Sequence, residues 1–144
     1  MRCITSDGLK RTIGEIGEMI TRQDIGVARQ IGSYSDGVEV PAGKRWLFTS
    51  GTPGLALDGT LPVDITAQAE LAWTHIKTML EQAHMTVDDI VKVTQYLLSA
   101  DHIKPYAAVR SRFLGTARPA FMLLVVPALV WPNILLEVEI VAAA

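Results

Sequence analysis

The feature that most restricts this chain is an apolar run, Phe121–Trp131 (FMLLVVPALVW). It is far shorter than the roughly 20 residues a membrane-crossing helix needs, and Pro127 interrupts it. Its first part, Phe121–Val126, reads instead as a strand with no polar alternation, a pattern expected when both faces are covered. Composition adds to this. A hydrophobic content of 49% and a mean hydropathy of +0.28 are high for 144 residues. A small domain has little core for its surface, so part of the apolar area is expected to face other copies in a closed homo-oligomer.

The rest of the chain supplies a sheet and two helices. Asp64 is placed to cap a helix whose buried stripe is Ile65, Ala69, Ala72, Trp73, Ile76, Leu80 and Ala83. Thr86-Val87-Asp88-Asp89 has the form of a short helix start. Ile90–Leu98 alternates as a strand, with Lys92, Thr94 and Tyr96 on one face. Asp101 is expected to cap a second helix with a stripe of Ile103, Tyr106, Val109 and Phe113, ended by Gly115. Ile134–Ala142 is a last alternating strand. Upstream, Val38–Val40 and Arg45–Ser50 flank Pro41-Ala42-Gly43 and read as a hairpin, and Gly51–Pro62 reads as a loop. The order is β-β-α-β-α-β-β, an α+β domain with one sheet and two helices on one face. Residues 1–30, with Ile13, Ile16 and Ile20 at helical spacing, read as an N-terminal arm preceding a domain over 31–144.

Several function classes are excluded or disfavoured. Thirteen basic and fifteen acidic side chains give no electrostatic footprint for nucleic acid. The opening MRCITSDGLKRT lacks the apolar stretch of a secretory signal, and no membrane span is expected. Cys3 is the single cysteine; with no histidine near it in sequence it is a poor nucleophile, and a lone thiol fits a reducing cytoplasm. His75, His84 and His102 do not pair at metal-ligand spacing, so no metal is expected. No phosphate-cradling or nucleophile-elbow motif is present, and no cofactor is called for. Glu137 and Glu139 project from one face of the last strand beside Leu135 and Val141. Carboxylates there lie either at an exposed sheet edge or in a partly buried site able to move protons.

The motifs also resemble a family. Gly32-Ser33-Tyr34-Ser35, Phe48-Thr49-Ser50-Gly51-Thr52, the helix Gln68–Leu80, Asp89-Ile90-Val91-Lys92-Val93-Thr94 and Leu136-Glu137-Val138-Glu139-Ile140-Val141-Ala142 occur in the order found in RidA/YjgF (Rid) proteins, sometimes labelled L-PSP endoribonucleases. The resemblance runs from about residue 32 to residue 143. It implies a chorismate-mutase-like fold and a barrel-like homotrimer with a small-molecule cleft at each subunit interface. It also implies hydrolysis of reactive enamines or imines, such as 2-aminoacrylate, to a keto acid and ammonia. In the archetype a glutamate on the last strand handles the water and an arginine holds the substrate carboxylate. Glu137 falls on that glutamate, and Tyr34, Ser50 and Gly51 fall on cleft-lining positions.

The arginine is where the pattern breaks. Aligning Pro119-Ala120 with the family's Pro-Ala pair puts Phe121 in the arginine's place, followed by Met122 and Leu123. A second register puts Arg118 there but leaves the Pro-Ala pair unmatched. Arg110 falls where the archetype has a cleft asparagine, either as a replacement charge or as a solvated helix residue. Phenylalanine offers neither of the two charge-assisted hydrogen bonds of a bidentate arginine, so the specificity is expected to differ. Two functions follow: a deaminase of altered specificity with Glu137 as general base, or a non-catalytic trimer that binds a small apolar molecule or acts as a regulator. The near-neutral charge argues against a ribonuclease.

Overall fold

A computed structural model describes residues 19–144, and in it the capped amphipathic helix forms as its spacing predicts. This helix is preceded by α1 (Ala28–Ile31) and is labelled α2 (Ile65–Gln82). Asp64 Oδ1 accepts the Ala67 N–H at 2.9 Å, satisfying one of the free donors of the first turn. Ile65, Ala69, Ala72, Trp73, Ile76 and Leu80 are buried. Gln68 is buried with them, although it is polar. Its Nε2 donates to Pro62 O at 2.7 Å and Asn133 O at 2.8 Å, while its Oε1 accepts the Leu135 N–H at 2.8 Å. One side chain thereby ties the loop before α2 to the loop that leads into the last strand.

The strands are β1 (Thr21–Gln23), β2 (Gly37–Glu39), β3 (Trp46–Phe48), β4 (Thr52–Pro53), β5 (Ile90–Leu97), β6 (Ala120–Val125) and β7 (Leu136–Ala143), with α3 (Ile103–Leu114) between β5 and β6. The main sheet runs β3-β7-β5-β6, and β4 also pairs with β7. Parallel strands cannot be joined by a tight turn, so the parallel β5–β6 pair uses α3 as its crossover. Val93, Gln95 and Leu97 of β5, and Leu136, Val138, Ile140 and Ala142 of β7, are buried in the core with α2 and α3. Trp73 stacks on Phe113, centroids 6.2 Å apart, where the two helices meet.

Four expectations need correction. The hairpin does not form: β2 pairs with β1, and β3 pairs with β7, placing Trp46, Leu47 and Phe48 opposite Ala143, Ala142 and Val141. An apolar segment gains more beside a central strand than beside its chain neighbour, a long-range choice that a local turn signal does not carry. Within the stretch read as a helical arm, Thr21–Gln23 forms the strand β1 paired with β2; Cys3, Ile13 and Ile16 lie outside the described residues. The strand β6 is not covered on both faces. Met122 and Leu124 are exposed because they project from the face opposite the helices, which no described element covers; β6 is the last strand of the sheet, and a bridge joins Ser35 to Ala120 at its outer edge. Finally, Asp101 is not the cap of α3. Ser99 Oγ accepts the Asp101 N–H at 3.2 Å at the start of a 3-10 turn, Ala100–His102, that leads into the helix. The short turn after Thr86 forms as read, with the Thr86 N–H donating to Asp89 Oδ2 at 2.7 Å. No described helix is long and apolar enough to cross a membrane.

Candidate functional site

The helices cover one face of the sheet, and among the described residues the other face is open. Alternation along β5, β6 and β7 aims Lys92, Thr94, Tyr96, Met122, Leu124, Glu137, Glu139 and Val141 to this open side. Tyr96 lies opposite Glu137, and Thr94 opposite Glu139. Trp46 and Phe48 stack beside them at 6.0 Å, exposed by 49% and 70%. These side chains leave apolar surface uncovered on this face of the single chain.

Glu137 is half-buried on this face and is held by its neighbours rather than by a cation. Pro53 of β4 lies opposite it, and no ion pair among the described residues involves it. Between β3 and β4 the chain crosses β7: the Thr49 N–H donates to Ile140 O at 3.1 Å, and Thr49 Oγ1 accepts the Ile140 N–H at 2.9 Å. This brings Gly51 against the Glu137 carboxylate so closely that a Cβ there would stand 2.8 Å from Glu137 Oε2. Glycine is therefore required at residue 51 if the carboxylate is to keep its position. Ser50 is exposed next to it, with its carbonyl accepting from Thr52 Oγ1 at 3.1 Å.

A second group lies at the other edge, on the helix side of β6. Phe121 is level with Val93, and its ring stacks on Tyr34 at 5.2 Å and 25°. Arg110 does not point to solvent from α3. Its guanidinium lies 4.5 Å from the Phe121 ring centroid, and its Nη1 donates to Gln95 Oε1 at 2.9 Å. Gln95 is fully buried; its Oε1 also accepts from the Tyr106 hydroxyl at 2.7 Å, and its Nε2 donates to Met122 O at 3.1 Å. Burial lowers the Arg110 pKa, opposed by Tyr106 and Tyr34, and burial pushes the Tyr106 phenol well above its ordinary value. Both groups keep their usual charge at neutral pH: Arg110 cationic, Tyr106 neutral.

Arg118 takes part through its backbone. Its carbonyl accepts from Ser35 Oγ at 2.6 Å and from Arg22 Nε at 3.3 Å, which fixes the Tyr34–Ser35 segment beside β6, while its side chain is exposed. Leu123 lies level with Gln95 on the helix side, and Met122 is on the open face. The residues singled out from the sequence thus fall into two groups. Tyr34, Phe121 and Arg110 form one; Ser50, Gly51 and Glu137 form the other. Phe121 is level with Val93 and Glu137 with Tyr96, three residues along β5. That offset is about 10 Å along the strands and a further ~10 Å across them, on opposite faces. One chain does not bring the groups together.

Gln95 and Gln68 were missed by pattern reading. Each carries a usable signal: a polar residue on the buried phase of an apolar repeat must find hydrogen-bond partners inside. Among the described residues no group of three or more His, Cys, Asp or Glu is arranged to hold a metal ion. His75 Nε2 lies 2.7 Å from Leu55 O, a structural contact.

Comparison with known proteins agrees with this architecture. The family model described as Endoribonuclease L-PSP matches residues 26–144. A RutC family protein of Pyrococcus abyssi is 29% identical over 79% of this chain and 88% of its own. TdcF of Escherichia coli, a candidate reactive intermediate deaminase, is 30% identical over 58% of this chain and 63% of its own. Its structure with bound serine superposes with a TM-score of 0.65, covering 79% of this chain and 90% of TdcF. The Rid protein YyfB of Yersinia pestis, 23% identical, shares the fold with a TM-score of 0.74 over 88% of this chain and 98% of its own. The chain has the chorismate-mutase-like α+β fold and belongs to the Endoribonuclease L-PSP family, the RidA/YjgF group.

Proposed function

We propose that this protein is a homotrimeric cytoplasmic deaminase that hydrolyses a small reactive enamine or imine other than 2-aminoacrylate. The observation that carries the reading is Glu137, a half-buried carboxylate on the open sheet face, free of any ion pair among the described residues and set against a glycine backbone. A carboxylate held in that way is available to take a proton from water as the water adds to an imine carbon. The nitrogen then leaves as ammonia when the resulting aminoalcohol collapses to the carbonyl. Ser50 and Gly51 provide polar backbone beside the reacting centre. The homologous TdcF supports the reaction class. Phenylalanine at 121 supports a changed substrate, since the strand offers no guanidinium there.

The trimer reading is supported by the open face bearing Trp46, Phe48, Met122 and Leu124 and by the separation of the two residue groups. A second copy laid against the open face is the means of placing Glu137 of one chain beside the Tyr34–Phe121 pair of another. The competing account is a non-catalytic binding trimer, favoured by the aromatic stack of Tyr34 on Phe121. Ammonia release from freshly generated imines, compared between the wild type and Glu137→Gln, separates the two. Dependence on Glu137 supports the deaminase, and no acceleration of any imine supports the binding trimer.

A further inference from the structure

The helix layer carries a cavity of its own, on the far side of the sheet from Glu137. It has a volume of about 440 Å³ and lies where the last turns of α2 and α3 meet the chain that follows α2. That volume is in the range of small-molecule sites. Leu80 and Met85, both nearly fully buried, and the partly buried Val87 and Phe113 supply its apolar lining.

The walls are fixed by the chain that forms them. His84 ends α2 with a left-handed φ of 56°, and the next residue, Met85, donates its N–H back to Leu80 O at 2.8 Å. Thr86 and Asp89 then close the capping box of the following turn. Phe113 is held by its stack on Trp73. Walls ordered in advance have little freedom left to lose when a ligand enters.

The mouth carries charge of both signs. Lys77 and Glu81, one turn apart on α2, meet at 3.9 Å with most of each side chain in water. An exposed pair of this kind contributes little and is readily exchanged. Arg112, also at the mouth, is engaged by Glu70. The exchangeable charges are therefore one cation and one anion. Glu81 disfavours a ligand bearing only a carboxylate, and Lys77 disfavours one bearing only an amine. A zwitterion replaces the long Lys77–Glu81 contact with two direct ones.

We propose that this cavity binds a free aromatic α-amino acid. Its carboxylate meets Lys77 Nζ, its ammonium meets the Glu81 carboxylate, and its ring lies among Leu80, Met85 and Phe113. An aromatic ring suits both the phenyl ring of Phe113 and the thioether sulfur of Met85. The site is separate from the Glu137 face and does not rest on the deaminase reading.

The test is isothermal titration of the full-length protein with L-phenylalanine. Two analogues each remove one charge: 3-phenylpropanoate lacks the ammonium, and phenethylamine lacks the carboxylate. The wild type should bind L-phenylalanine and should bind each analogue about 5-fold more weakly or worse. Lys77→Met and Glu81→Gln should each weaken L-phenylalanine by about 5-fold, the scale of an exposed charge contact. Lys77→Met should leave phenethylamine no weaker than before, and Glu81→Gln should leave 3-phenylpropanoate no weaker, a pattern that a general loss of structure does not produce. Both side chains are exposed, so the variants should fold, and circular dichroism checks this. Glu137→Gln should leave the L-phenylalanine affinity unchanged. No binding by the wild type, an analogue that binds as tightly, unchanged affinity in the folded Lys77 and Glu81 variants, or binding lost in Glu137→Gln would overturn the assignment.

Discussion

Replacing Gln68 with methionine keeps the length and most of the volume of a fully buried side chain while deleting three hydrogen bonds. Each such bond contributes about 1 kcal/mol net, so the expected loss of stability is about 3 kcal/mol. At 2–4 °C per kcal/mol for a chain near this size, the midpoint of thermal unfolding should fall by roughly 10 °C. Circular dichroism at one fixed protein concentration reads this, since the midpoint of an oligomer depends on concentration. Gln68→Glu sharpens the test. A buried carboxylate opposite two carbonyls has its pKa raised, so the folded state holds the proton more tightly than the unfolded chain. Stability of that variant should therefore fall as pH rises through the raised value and recover below it. A drop of less than about 1 kcal/mol for Gln68→Met would refute the reasoning, since it is no larger than one ordinary hydrogen bond.

Two further perturbations bear on the site and on the start of the domain. Gly51→Ala would place a methyl 2.8 Å from Glu137 Oε2, at the movable end of the side chain. Stability should stay within about 0.5 kcal/mol while imine hydrolysis falls at least ~10-fold; full activity in an enzymatic assay would contradict the close approach. Asp36 is pulled upward by partial desolvation, but the N–H groups of Ala28, Ile25 and Gly26 outweigh this and hold its carboxyl below the ordinary value. A depressed carboxylate stabilises the fold above its unfolded pKa and loses that contribution as pH falls through the folded value. Urea midpoints should therefore show Asp36→Asn weaker than the wild type near neutrality, with the gap closing below about pH 4. A gap that persists unchanged in acid would contradict this.

Elements whose own side chains specify them were legible in the sequence. The helix α2 carries its cap at Asp64 and its stripe within the segment, and β5 and β7 display their alternation through Lys92-Thr94-Tyr96 and Glu137-Glu139. Pairing was less legible, because it depends on distant partners. Nothing between Val38 and Ser50 reveals that β3 will lie on β7. The run at Phe121 is apolar on both faces although one face is open in the single chain, which is the pattern expected if another copy covers it. Glu137 and Gly51 were both marked by motif, but their contact was not. Arg110 was marked without its direction, since the buried acceptor that turns it inward, Gln95, sits fifteen residues away in β5.

The measurement that bears most directly on the central claim is the rate of ammonia release from a freshly generated, carboxylate-free imine. Wild-type protein should accelerate it over buffer, and Glu137→Gln should remove about 100- to 10,000-fold of that acceleration, the span attributed to a positioned general base. Equal rates for the folded wild type and variant would contradict the assignment of Glu137 as the group that activates water.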